Sequence, residues 1–120
     1  MNVALDKSYK FSINIVNLYK YLCSNKKEYV MSKQLLRAGT SIGANIREGL
    51  YGQSRKDFLS KMSISLKEAA ETEYWLSLLK DCNYLDSKKA LQLLGECEEL
   101  IKILVSTINT TKERMDLHKE

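Results

Sequence analysis

The stretch SRKDFLSKMSISLKEAAETEYWLSLL, residues 54–79, decides the fold. Phe58, Met62, Ser65, Ala69, Thr72, Leu76 and Leu79 recur in steps of four and three, which stacks them on one face of an α-helix. Ser54 followed by Asp57 resembles a capping box. Its hydroxyl can receive a free backbone N–H of the first turn, and the acid lies near the positive helix end. The spacing predicts a helix that opens there and ends near Cys82-Asn83.

The same helix carries a second seam. Ile64, Glu68, Glu71, Trp75, Leu78 and Cys82 repeat the rhythm, displaced by roughly a third of a turn. Leu59, Leu66, Ala70 and Tyr74 extend apolar character the other way. Apolar surface costs about 25 cal/mol per Å² when left in water, so Ile64, Trp75 and Leu78 are the candidates for packing on another subunit. The other reading is a helix buried from several sides by its own chain.

Outward from this stretch the same periodicity predicts three more helices. The first runs from Asp6 or Ser8 to Cys23 on Phe11, Ile15, Leu18 and Leu22. The second runs from Val30–Ser32 to Gly49 or Gly52 on Leu35, Ala38, Gly39, Ile42, Ile46 and Gly49. Gly39 and Gly43 each cost about 1 kcal/mol against alanine inside a helix. Either something packs closely there or the helix breaks at Gly39-Thr40. The fourth starts after Asp86 or Ser87, both good N-caps, on Ala90, Leu94, Cys97, Ile101, Leu104, Ile108 and Met115. The charged tail, Asp116 to Glu120, is expected to fray.

Composition agrees. The sequence has 120 residues, 44% of them hydrophobic, with no proline and 5 glycines, so the punctuation of many strands and tight turns is missing. Short connections favour antiparallel neighbours. The expectation is one all-α domain over residues 1–120, an antiparallel up-down-up-down four-helix bundle. Cys23, Cys82 and Cys97 are odd in number and far apart, which suits a reducing compartment. Met1 to Lys10 holds no apolar leader core, and no stretch is long enough to span a bilayer. The expectation is a cytoplasmic protein without a membrane partner.

Candidate site residues fall on the second helix. Ser41, Asn45 and Glu48, with Gln34, form a polar stripe beside its core side, suited to hydrogen bonds with a neighbouring helix. Carboxylate di-iron bundles need Glu-x-x-His pairs, and the one histidine is His118, in the tail, so no metal or other cofactor is expected. Opposite the core lie Lys33, Arg37 and Arg47, with Arg55 and Lys56 just beyond the turn. This stripe can follow a phosphate backbone or simply solvate a helix. The formal net charge of +4 permits an acidic partner without demanding one. No phosphate-cradling glycine loop, no H-E-x-x-H and no histidine placed to serve a nucleophile is present, which predicts a non-enzyme.

Gln34-Leu35-Leu36-Arg37, Thr40 through Gly49 (TSIGANIREG), Ser54-Arg55-Lys56-Asp57-Phe58, Lys67-Glu68-Ala69 and Glu71 through Leu76 (ETEYWL) together resemble the four-helix proteins encoded in intervening sequences of bacterial 23S ribosomal RNA genes. The chain is similar also to the accessory proteins of diversity-generating retroelements. The resemblance covers nearly the whole chain and implies a left-handed antiparallel bundle assembling into a ring, a homopentamer. It also implies association with RNA or DNA. The alternative it leaves open is a protein–protein adaptor, for example for a reverse transcriptase. A shared fold does not fix an activity.

Overall fold

The structure is a computed structural model that describes residues 2–117. Four α-helices make up those residues: α1 (Val3–Asn25), α2 (Met31–Leu50), α3 (Arg55–Asp81) and α4 (Ser87–Leu117). There is no strand among the described residues. The helices pack in the cyclic order α1, α2, α3, α4 and back to α1, and α3 packs more extensively on α2 and α4 than α1 does on α4. His118 and the last two residues of the charged tail lie outside the described residues, whereas Asp116 and Leu117 still belong to α4.

Each helix start has a local cause. Asn2 Oδ1 accepts the Leu5 N–H at 2.9 Å, so α1 opens at Val3, three to five residues earlier than its apolar rhythm suggests. Ser54 Oγ accepts from the Asp57 N–H at 3.0 Å, as the sequence predicts. Asp86 Oδ1 takes the Lys89 N–H and starts α4. The case of α2 is different. Val30 precedes it with no capping side chain, and Glu28 does the work from further back, accepting from Met31 and Ser32 at 2.9 and 2.7 Å and from Val30 at 3.1 Å. At the other end of α3, Asn83 turns to φ 66° and the Tyr84 N–H reaches the Leu79 carbonyl, a Schellman stop.

The α3 seam from Met62 to Leu79 is buried as its spacing predicts, with Phe58 half-buried at its edge. It shares one core with Leu35, Ile42 and Ile46 of α2 and with Phe11, Ile15 and Leu22 of α1, each fully buried. On α4 the register differs from expectation. Leu93 and Leu100 are buried, and Leu94 and Ile101 flank the core half-buried. The rhythm from Ala90 steps by three before four.

The helix does not break at Gly39: α2 is continuous through both glycines. A β-carbon at Gly39 would sit 2.9 Å from both γ-carbons of Ile15, and one at Gly43 would sit 3.2 Å from Ser8 Oγ. The two glycines let α1 and α2 approach closely. Two polar groups in the core bond across helices. Ser65 Oγ donates to the Ile42 carbonyl at 2.8 Å, and Cys97 Sγ donates to the Ala69 carbonyl. Burial, then the charge of Glu73, pushes the Cys97 thiol up to about 12, so it stays protonated and inert.

Candidate nucleic-acid interface

The five predicted cations divide between α2, which carries Lys33, Arg37 and Arg47, and the first turn of α3, which carries Arg55 and Lys56. Lys33, Arg47, Arg55 and Lys56 are exposed and none forms an ion pair among the described residues. Arg47 lies over the Tyr51 ring, 5.7 Å from its centre, and lines a groove of about 780 Å³ between α1 and α2, with Leu5, Tyr9 and Ala44.

Arg37 is engaged elsewhere. Its position does face away from the core, but its long arm bends to α3, donating to Glu68 at 2.9 Å and to Glu71 at 2.5 Å. Glu71 also accepts the Trp75 indole N–H at 3.0 Å. That bond first, and Arg37 second, hold the Glu71 carboxyl below its ordinary value. A guanidinium fork closed on two carboxylates has little charge left for a phosphate.

The polar stripe requires a correction. Ser41 Oγ donates to the Arg37 carbonyl and Asn45 Nδ2 to the Ser41 carbonyl, each within α2, four residues back. Neither reaches another helix. Their side chains are short, and the nearest acceptor is the carbonyl one turn below, which takes the backbone N–H on one lone pair and keeps the other open. Only Glu48 crosses, to Lys61 of α3 at 3.5 Å.

The second seam of α3 turns toward α2. Trp75 is half-buried against the core of its own chain and stands edge-on to Tyr74. Leu78 is half-buried and Ile64 is 41% exposed. More apolar surface is open elsewhere: Tyr9 and Ile13 on α1, Leu91 on α4, and Tyr51 after α2. The spacing of four between Tyr9 and Ile13 is the signal that could have found the first pair.

No group of three or more His, Cys, Asp or Glu among the described residues is arranged to hold a metal ion. No helix among them is long and apolar enough to cross a membrane.

With this geometry in place, comparison with known proteins gives a family. The 23S rRNA-intervening sequence protein family matches residues 2–106. A solved structure, a protein of unknown function from the S23 ribosomal protein family of Bacteroides thetaiotaomicron, is 53% identical and superposes with a TM-score of 0.88. The match covers 88% of this chain and 98% of that one. No curated protein matches. The family residues span the α2 face, its Arg37 clasp and the whole α3 seam, and the chain belongs to the 23S rRNA-intervening sequence protein family.

Proposed function

We propose that this chain works without catalysis, as a cytoplasmic oligomer of antiparallel, left-handed four-helix bundles that associates with RNA or DNA. The observation that carries the nucleic-acid reading is that Lys33, Arg47, Arg55 and Lys56 stay exposed and unpaired among the described residues while Arg37 is neutralised. Free cations on one face of α2 and on the first turn of α3 release counterions when a phosphate backbone lies along them.

Several observations support the assembly. Cys23 meets Ser32, Ile15 meets Gly39 and Ser8 meets Gly43, pairs that descend α1 while climbing α2. Arg37 with Glu68 and Glu48 with Lys61 do the same for α2 and α3. Both patterns suit antiparallel neighbours. Exposed Ile64, Tyr9 and Ile13 suit contact with further copies, and the family resemblance favours a closed ring of five. A protein–protein adaptor is the second reading, favoured by the apolar groove between α1 and α2.

The test combines Arg47→Glu with Arg55→Glu. Arg37 is left alone, because its reversal would set a third carboxylate beside Glu68 and Glu71. Binding to a labelled nucleic acid is expected to weaken, and the slope of log K against log salt to shrink by about 0.7–0.9 per lost contact. Identical affinity and slope in the double variant would remove this face from the reading. Light scattering on the same samples should give a mass of several chains, and a monomer would dismiss the ring.

A further inference from the structure

The charge of this protein is concentrated at one end. Residues 17–36 and 74–95 hold seven lysines, no arginine, and only Glu28, Asp81 and Asp86 in opposition, a net +4; the rest of the sequence sums to zero. These two segments belong together in space. Asn14 bonds Glu96 at 2.9 Å, so α1 beyond Asn14 runs beside α4 before Glu96. Arg37 clasps Glu68 and Glu71, so α2 before Arg37 runs beside α3 beyond Glu71. The α1–α2 and α3–α4 connections therefore crown the same end.

The three acids there are already engaged. Glu28 is buried, its carboxylate turned onto the first N–H groups of α2. Asp86 caps α4. Asp81 pairs with Lys80 at 3.6 Å. Lys20, Lys26, Lys27, Lys33, Lys88 and Lys89 are exposed and form no ion pair among the described residues.

Two features of the α1–α2 connection add to the charge. Lys27 sits at φ 54°, in the left-handed region. Glycine or asparagine occupies that region at lower cost, and Asn83 does so in the equivalent turn after α3. A lysine there keeps a cation at the tip at the expense of local backbone comfort, the kind of strain that marks a working position. Tyr29, two residues on, is 57% exposed and makes no hydrogen bond through its side chain among the described residues, and Val30 beside it is 74% exposed. An aromatic ring presented amid lysines is the arrangement that stacks an unpaired base while cations hold its phosphates.

We infer that this lysine-rich end grips the phosphate backbone of a single-stranded nucleic acid, with Tyr29 as the platform on which one base stacks. The inference rests on the nucleic-acid reading above and assigns it a second surface, which shares Lys33 with the α2 face and lies at the end of α2 remote from Arg47. The molecule is 24 by 21 Å in cross-section, which suits a short contact of about 4 nucleotides per chain, the lower end of single-strand site sizes. An arrayed oligomer would lengthen that contact without new chemistry.

The experiment measures binding of the full chain to a labelled 12-nucleotide single strand, as RNA and as DNA, and to the matching duplex, across salt concentrations. In a variant combining Lys26→Gln, Lys88→Gln and Lys89→Gln, affinity for the single strand should fall about ten-fold or more, and the salt slope should shrink by about 2, at about 0.7 per contact. All three side chains are exposed, so the melting temperature should hold. Lys27→Gly should weaken binding while leaving the melting temperature equal or higher, which no purely structural role for Lys27 would produce. Tyr29→Ala should cost about 5- to 150-fold on the single strand and leave duplex binding unchanged.

If the triple-lysine variant binds like the parent with the same slope, this end is not the site, and the α2 face can stand alone. If the parent binds neither strand nor duplex at low salt, both readings fall. Equal affinity for duplex with an indifferent Tyr29→Ala overturns the single-strand assignment. Polyglutamate or phosphatidylserine vesicles binding the same lysines more tightly than RNA or DNA would overturn the assignment in favour of an acidic protein or a membrane surface.

Discussion

Replacing Gly39 with alanine is expected to lower stability by about 1–3 kcal/mol, although alanine is the better helix former by about 1 kcal/mol. The reason is the γ-carbons of Ile15, which would both lie 2.9 Å from the new β-carbon, with the Ile15 β-carbon at 3.3 Å. Ile15 is fully buried and branched next to its own backbone, so it has no flexible end to swing aside. Either the two helices move apart along their contact or Ile15 leaves its rotamer. Gly95 supplies the control: a β-carbon there meets nothing within 4 Å, so Gly95→Ala should stabilise by up to about 1 kcal/mol. A third variant tests the cause. Ile15→Ala alone opens a cavity and costs about 2–5 kcal/mol, but in its background Gly39→Ala should become far less harmful, because the added methyl enters emptied space. Urea unfolding at one fixed protein concentration measures the parent, the three single variants and the double variant, and gives the coupling between Ile15 and Gly39. Equal effects of Gly39→Ala in both backgrounds, or a gain matching that of Gly95→Ala, would sink the close-packing account.

The fold was legible wherever one spacing alone fitted. On α3 the seam from Met62 to Leu79 carries no charge, whereas the neighbouring register through Ile64, Trp75 and Leu78 is interrupted by Glu68 and Glu71, so the uncharged register takes the core. On α4 the sequence is degenerate. Leu93 and Leu94 are both apolar, as are Leu100 and Ile101, and the count from Ala90 can step by three or four. The helix settles on Leu93 and Leu100, whose side chains are buried where those of Leu94 and Ile101 only flank the core. The site was less legible, for a different reason. Sequence spacing gives the direction in which a side chain leaves its helix, and Arg37 does leave outward. It cannot say where a long flexible arm ends, and two carboxylates on α3 draw this one back. Ser41 and Asn45 failed as bridges for the opposite reason: short arms find their own helix first. The lysine-rich end was invisible for a third reason. Its cations come from four helix ends some fifty residues apart in sequence, and only the packing order brings them together.

Glu28 escaped notice because the usual cap stands directly before its helix, and here that place is held by Val30, which has no group to offer. Glu28→Gln is expected to destabilise the chain by about 1–3 kcal/mol at neutral pH. The carboxylate presents two oxygens to three backbone N–H groups, Oε1 to Val30 and Met31 and Oε2 to Ser32. An amide must turn its own donors toward one side of that set, leaving a buried N–H unpaired, and it also removes a negative charge from the positive end of α2. The pH dependence separates this from a packing defect. Burial by itself would raise the Glu28 carboxyl, but the N–H groups of Met31, Ser32 and Val30 outweigh it and hold the group below its ordinary value. A carboxyl whose folded-state pKa is depressed contributes fully above its unfolded pKa, and that contribution is lost as pH falls through the folded value. The stability gap between the parent chain and Glu28→Gln should therefore be widest at pH 6–7, begin to close below about 4.5, the ordinary glutamate value, and close fully at lower pH. The variant has no titrating group at this position, so other carboxylates, Glu71 among them, cancel from the difference. A gap that stays constant from pH 7 down to the acid unfolding limit would show that Glu28 holds α2 by shape alone, and that the charge on its cap contributes nothing.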